Sequence, residues 1–256
     1  MFLILCGYDA KSQSSNEWKL AWSDEFNYTG LPDSSKWSYE VGGNGWGNNE
    51  KQYYTDADTL NAIVKNGALV ITASNIKSHE NDYTSARLTT KNKEAWKYGK
   101  IKVSAKLPAG RGLWPAIWML GASIHEDGWP KCGEIDIMEH VGFMKDSIFG
   151  TVHTEAYNHV KKTQRGSKVF IKNPYSEFHT YAVEWSSEKV DFLLDDVVYY
   201  SFSNEHKTVN EWPFDQPFYL LLNIAVGGNF GGQKGIDDTA LPASMLIDYV
   251  RVYQKL

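Results

Sequence analysis

The chain of 256 residues carries only two cysteines, Cys6 and Cys132. Cys6 lies in an N-terminal tail and Cys132 beside an acidic stretch. A bond between them is not expected, and no disulfide framework staples the fold. No internal apolar run is long enough to cross a bilayer, so a membrane-spanning segment is not expected. Sustained helical periodicity is missing from every window, which argues against a helical domain. Basic residues are outnumbered, 26 against 31 acidic, and the net charge of -5 makes nucleic acid an unsuitable partner. Internal repeats, low-complexity segments and a second composition block are also lacking. A tail over 1–16 followed by one domain over 17–256 is the expected organisation.

What the chain has in abundance is aromatic residues, with 10 Trp and 15 Tyr. Many serve a core, but exposed flat rings also suit the apolar faces of sugars. Short strand signals separated by Gly, Pro, Asn and Asp recur throughout. They include 67–73, 83–90, the cleanly alternating 99–107, 148–153, 178–185, a hairpin over 190–200 turning at Asp195-Asp196, and the apolar run 218–226 with Asn223 inside it. This pattern predicts an all-β sandwich of the jelly-roll kind in a single domain.

The run Gly133-Glu134-Ile135-Asp136-Ile137-Met138-Glu139-His140 stands apart, with three carboxylates inside six residues. Its apolar spacers read as a strand buried on one face. Alternation places Glu134 and Asp136 on the same side and would turn Glu139 away. One extra residue, a β-bulge at Ile137-Met138, would return Glu139 to the acidic face. Like charges gathered on one face destabilise a strand and raise at least one pKa, a conflict typical of functional sites. Catalysis, a solvated acidic face and a calcium site are the readings the run alone leaves open.

Other features surround it. The segment 42–50 packs four glycines into six residues and presents Trp46, Asn49 and neighbouring amides on a loop. A second glycine-rich loop covers 227–232. Arg87 sits mid-strand and could bind ligand or pair a carboxylate within the fold. Trp114, Ala116 and Trp118 share one strand face, Pro115 confines its start to an edge or end, and Trp129 precedes the acidic strand. His153 would face the carboxylates if its strand pairs with theirs.

The N-terminus, apolar over 2–5 and followed by Cys6-Gly7 and a polar stretch to Asn16, is similar to the end of a bacterial lipoprotein signal. It lacks the basic segment and full length of such a signal, and Leu5 is larger than the usual residue before the cysteine. Export as a cell-surface lipoprotein and simple secretion are both expected readings.

Together these motifs resemble glycoside hydrolase family 16. The resemblance rests on Glu134-Ile135-Asp136-Ile137-Met138-Glu139, with the extra residue of the laminarinase branch, and on Trp129 five residues before it. It extends through Asp24-Glu25-Phe26, 45–50, 83–87, 114–120, 223–228 and 248–253. The resemblance implies a curved, concanavalin-like jelly roll with a concave substrate cleft and a retaining endo-hydrolase of β-1,3-glucan or mixed β-1,3/1,4-glucan. No motif identifies a partner protein, and a monomer is expected. The resemblance also implies Glu134 as nucleophile, Glu139 as general acid/base and Asp136 as the group orienting the nucleophile. Trp114 and Trp118 would line the donor subsites, Trp129 would lie beside the scissile bond, Asn49 and Arg87 near the donor sugars, and His153 close to the acid/base. No cofactor serves the reaction. A structural calcium is implied, held by the Asp248 side chain and by backbone carbonyls near Glu25 and Gly67. Galactan hydrolases such as agarases and carrageenases share the bulged signature, and non-catalytic β-glucan-binding proteins share the fold but typically lose one or both glutamates.

Overall fold

The computed structural model describes residues 17–255. The tail and Cys6 lie outside the described residues. Seventeen strands follow one another in the chain. The first seven are β1 Trp18–Asp24, β2 Ser38–Tyr39, β3 Gln52–Tyr54, β4 Ala62–Lys65, β5 Ala68–Ala73, β6 Tyr83–Ser85 and β7 Arg87–Thr89. The next five are β8 Gly99–Lys106, β9 Leu113–Gly121, β10 Glu134–Glu139, β11 Ser147–His153 and β12 Arg165–Phe170. The last five are β13 His179–Trp185, β14 Lys189–Leu194, β15 Val197–Ser203, β16 Phe218–Val226 and β17 Ala243–Lys255. A single short helix, α1 Ile124–Asp127, joins β9 to β10.

Two antiparallel sheets make the sandwich, a jelly roll as the strand pattern predicts. The first has the order β15-β14-β13-β8-β17-β5-β4, with β1 also on β17. The second has the order β12-β11-β10-β9-β16-β7-β2 and carries the cleft. The core between them follows from period-2 alternation. Ile101, Val103 and Ala105 of β8 and Tyr181, Val183 and Trp185 of β13 face Ile117 and Met119 of β9, Ile135 of β10 and Leu220, Leu222 and Ile224 of β16. Burying each Leu- or Ile-sized side chain contributes about 1.5–3 kcal/mol.

One expected strand divides. The stretch 83–90 forms β6, which pairs in parallel with β3, and then β7, which pairs with β16 in the cleft sheet. Fully buried Ala86 lies at the join. Pro115 is near the start of a central strand. Its carbonyl accepts from the His140 N–H at 3.1 Å, just past the end of β10, so its missing donor falls where that ladder stops.

The pairing also gathers the residues proposed for a cation. β5 covers the first part of β17, with Ile247 opposite Leu69, and β1 covers the last part, with Asp24 opposite Val250. Gly67, Glu25 and Asp248 therefore meet where β1 and β5 abut. Asp248 is the extra residue where β17 slips against β8 between Ile247 and Tyr249.

Candidate active site

The expected bulge is present. Asp136 lies opposite Trp118 of β9 and Met138 opposite Ile117, so Ile137 is the surplus residue on that side. Across β11, Asp136 pairs with Thr151 and Glu139 with Phe149, leaving Ile137 and Met138 together facing Gly150. Both apolar side chains enter the core, at 1% and 0% exposure. Glu139 is thereby returned to the cleft beside Glu134 and Asp136. Gly150 makes room for this. A Cβ there would stand 2.3 Å from the Tyr199 hydroxyl and 2.6 Å from the Phe192 ring.

The cleft has a volume of about 330 Å³. Its floor carries the three carboxylates, with Trp114, Ala116, Trp118 and Leu120 of β9 beside them and Asn223 and Ala225 of β16 beyond. The tryptophans do more than offer ring faces. Trp129 Nε1 donates to Glu134 Oε2 at 3.0 Å, and Trp114 Nε1 donates to Glu139 Oε1 at 3.0 Å. Trp118 Nε1 donates to Asn223 Oδ1 at 2.8 Å. Each glutamate is thus held by its own indole, which fixes carboxyl orientation before any ligand arrives.

Burial and mutual repulsion govern the charges. Burial foremost, then the Asp136 charge, pushes Glu134 up to about 8, while His153 and the Trp129 N–H act the other way. Burial pushes Asp136 up to about 8, against a hydrogen bond with Glu134. Glu139 is likewise pushed up to about 8 by burial and then by Asp136, with His153 and the Trp114 N–H opposing. Repulsion acts only once a first charge exists, so the trio titrates as a unit and one proton leaves before the others. Glu134 has an indole donor and His153 Nε2 at 3.7 Å to favour its charged form.

A model described as Glycosyl hydrolases family 16 matches residues 48–251. The chain belongs to glycosyl hydrolase family 16. The β-glucanase of Rhodothermus marinus is 52% identical over 251 residues, covering 95% of this chain and 88% of the relative. The laminarinase structure from Rhodothermus marinus aligns with a TM-score of 0.92 at 51% identity, covering 94% of this chain and 98% of that one. SCLam, a non-specific endo-β-1,3(4)-glucanase, aligns with a TM-score of 0.89 at 46% identity, covering 94% and 92%.

Within this family 16 cleft, most residues expected from the sequence converge. Trp114, Trp118, Trp129 and Arg87 all line it. Arg87 pairs a carboxylate within the fold, as one of its two readings expects: Nε lies 2.7 Å from Glu40, and the guanidinium sits 4.6 Å from the Trp46 ring and 4.7 Å from the Trp118 ring. Two expectations need correction. Asn49 does not line the cleft. It is exposed, and its amide donates to Asn229 at 2.8 Å, tying the two glycine-rich loops together, while Asn48 and Glu50 on either side face the cleft. His153 is buried under the other end of the acidic face. It lies opposite Glu134, with Nε2 3.3 Å from Asp136, and its charge also acts on Glu139, so it supports the acidic residues from within the fold and does not line the cleft.

Several cleft residues carried no assignment from sequence. Glu50 is buried, which raises its pKa, and accepts from Gln52 at 2.7 Å and from the Tyr54 hydroxyl at 3.3 Å. Asn223 links Tyr54 to Trp118, donating to the first at 3.0 Å. The alternation of Glu50, Gln52 and Tyr54 was the available signal. His159 enters from the β11–β12 loop, its ring 5.0 Å from Trp129. Ligand atoms of Glu134, Asp136 and His153 lie within 4.8 Å of one another, close enough in principle for a metal. Trp129 engages Glu134 Oε2, while buried Asp136 Oδ2 has no hydrogen-bond partner among the described residues and lies 3.3 Å from His153 Nε2.

Proposed function

We infer that the protein is a retaining endo-β-glucanase acting on β-1,3-glucan, with mixed β-1,3/1,4-glucan as the related substrate. The observation that carries this reading is the pair Glu134 and Glu139, returned to one cleft floor by the bulge and each held by a separate indole N–H. Ionised Glu134 attacks the anomeric carbon while protonated Glu139 gives its proton to the departing glycosidic oxygen. The bond to the leaving chain breaks and a glycosyl–Glu134 ester forms. The proton transfer leaves Glu139 as a carboxylate, which loss of the Glu134 charge to the ester makes easier to hold, and it takes a proton from the attacking water. The water oxygen bonds to the anomeric carbon and Glu134 leaves as carboxylate, so configuration is retained. Asp136, hydrogen-bonded to Glu134 and near His153, orients the nucleophile. Trp114 and Trp118 supply ring faces to the donor sugars, and Arg87, engaged by Glu40, stiffens that wall.

Reducing-sugar release from laminarin, compared with barley glucan, tests this reading. Wild type releases reducing ends and Glu134→Ser does not; no release from either substrate by wild type would defeat it. A sulfated galactan fits less well, because the Arg87 guanidinium is already paired with Glu40 and offers no free cation for a sulfate.

The same reading includes three further proposals. The protein works as a monomer. It is exported, with Cys6 as the lipid-bearing residue, and Cys6→Ser would move it from the membrane fraction to the medium. A calcium ion binds at the β1–β5 junction. Asp248 is exposed and, among the described residues, engaged by no hydrogen bond or ion pair, while the Glu25 carboxylate is taken by Arg251 at 2.7 and 2.9 Å. One free carboxylate with neighbouring carbonyls suits a hard cation. Calcium should raise the melting temperature of wild type and not that of Asp248→Ala.

A further inference from the structure

A groove outside the cleft lies at one end of the first sheet, where β8 and β14 begin and β13 and β17 end. Its volume is about 580 Å³, against about 330 Å³ for the cleft, and the two share no lining residue. Trp18, Tyr98 and Trp185 line it, with Ser186, Ser187 and Gln254 among them. Trp185 is 2% exposed and packs edge-on against Tyr98 and Phe218, at 5.4 and 5.2 Å. Its indole N–H is buried and, among the described residues, has no hydrogen-bond partner. A buried donor left without an acceptor is unfavourable, and such groups are rare in folded proteins unless something supplies the acceptor.

The carboxylates around the groove are already matched, and its two other lysines lie over aromatic rings. Glu184 accepts from Lys100 at 2.9 Å, and Asp191 pairs with Lys189 at 2.6 Å and accepts from Ser201. Lys97 and Lys255 lie over the rings of Tyr98 and Trp18, at 5.0 and 4.9 Å. An ionic ligand would have to break these pairs. A neutral ligand rich in hydroxyls would not: it offers oxygen acceptors to the indole N–H, donors to the carboxylates and C–H faces to the rings.

We propose that this groove is a second, non-catalytic binding site for a neutral glucan chain, remote from the cleft. The proposal rests on the glucanase reading, since a polymer long enough to reach both sites gives the groove its use. Holding a distant part of the same polymer, or a neighbouring chain in an insoluble particle, keeps the cleft close to fresh substrate. Two weak contacts on one polymer multiply through effective concentration. A short oligosaccharide filling only the cleft gains nothing from the groove.

Binding to insoluble β-1,3-glucan (curdlan) and hydrolysis of soluble laminaripentaose, compared between wild type, Trp18→Ala and Tyr98→Ala, test this. Wild type should hydrolyse the pentaose; if it does not, the glucanase reading itself fails, and curdlan binding is then judged separately. Both variants should bind curdlan about tenfold more weakly or worse, while kcat/KM on laminaripentaose stays within about twofold of wild type. Curdlan binding unchanged in Trp18→Ala, which removes a half-exposed ring from the first strand, would overturn the proposal. A parallel loss on both substrates in both variants would also overturn it, because the groove would then support the fold and not a ligand. As a direct check, titrating the full chain with laminarihexaose should shift the Trp185 indole N–H resonance. An unmoved resonance at saturation, or one already shielded by the chain's own N-terminal tail, contradicts the assignment.

Discussion

Trp114 and Trp129 each carry one indole N–H and give it to different glutamates, so substituting them should move opposite limbs of the pH–rate profile. The Trp114 bond lowers the Glu139 pKa, and in the proposed mechanism Glu139 must be protonated to act. Trp114→Phe should therefore shift the basic limb of kcat/KM to higher pH. The Trp129 bond lowers the Glu134 pKa, and Glu134 must be ionised. Trp129→Phe should shift the acidic limb to higher pH. Both should lower kcat about 10- to 100-fold, the loss expected for one hydrogen bond to a charged group at about 1.5–3 kcal/mol. Profiles that move on the same limb would show that the glutamates do not hold separate roles. The sequence alone did not disclose these bonds. Alternation tells which face a tryptophan occupies, and so placed Trp114 and Trp118 in the cleft, but it is silent on where the indole nitrogen points. The same limit explains Asn49, which sits among cleft residues in sequence but adopts φ of 56° and turns its amide toward Asn229.

The bulge in β10 and the surplus residue cancel, which yields a prediction at the level of the strand. Deleting Met138 removes the extra residue and the need for the bulge together. Glu139 then follows Asp136 by two regular steps and stays on the cleft face. The deletion should leave a folded protein, less stable by about 2–5 kcal/mol for the lost core side chain. Its kcat should remain clearly above that of Glu134→Gln. A folded deletion variant with no activity above that background would show that the bulge shapes the site in some further way. This strand was legible because three carboxylates separated by apolar residues admit few arrangements that keep both the core and the acids satisfied. The division of 83–90 into β6 and β7 was not, because no glycine or proline marks the join at Ala86 and the change of sheet is decided by distant partners, β3 and β16. The β14–β15 hairpin was legible, because Asp195 and Asp196 both tolerate the positive φ that its turn requires, 49° and 64°.

For the molecule as a whole, the site and its support respond to pH in opposite senses. The folded-state pKa of Glu139 is raised, so between the usual carboxylate value near 4.5 and about 8 the folded chain holds a proton the unfolded chain has lost. Stability therefore falls as pH rises through that window. Glu139→Gln should melt at the wild-type temperature near pH 4 and above it at pH 8, by about 2–4 °C for each kcal/mol relieved. A gap that shrinks with rising pH would contradict the assigned shift. His140 acts the other way. It is fully buried, its Nδ1–H donates to the Ser147 carbonyl at 2.8 Å and its Nε2 lies 3.1 Å from the Tyr175 hydroxyl, and burial lowers its pKa below the ordinary 6.5. Its contribution is present above the unfolded value and is lost as pH falls below it. Acid unfolding of wild type should therefore begin earlier than that of a variant in which His140 is replaced by Gln and the fold is retained. All of this rests on Glu134 and Glu139 dividing one reaction between them. The most direct measurement is peptide mapping by mass spectrometry after reaction with a 2-deoxy-2-fluoro laminaribioside bearing a good leaving group. The account predicts one stoichiometric glycosyl label, on Glu134, and a label on Glu139 or Asp136, or turnover with inverted product and no label, would contradict it.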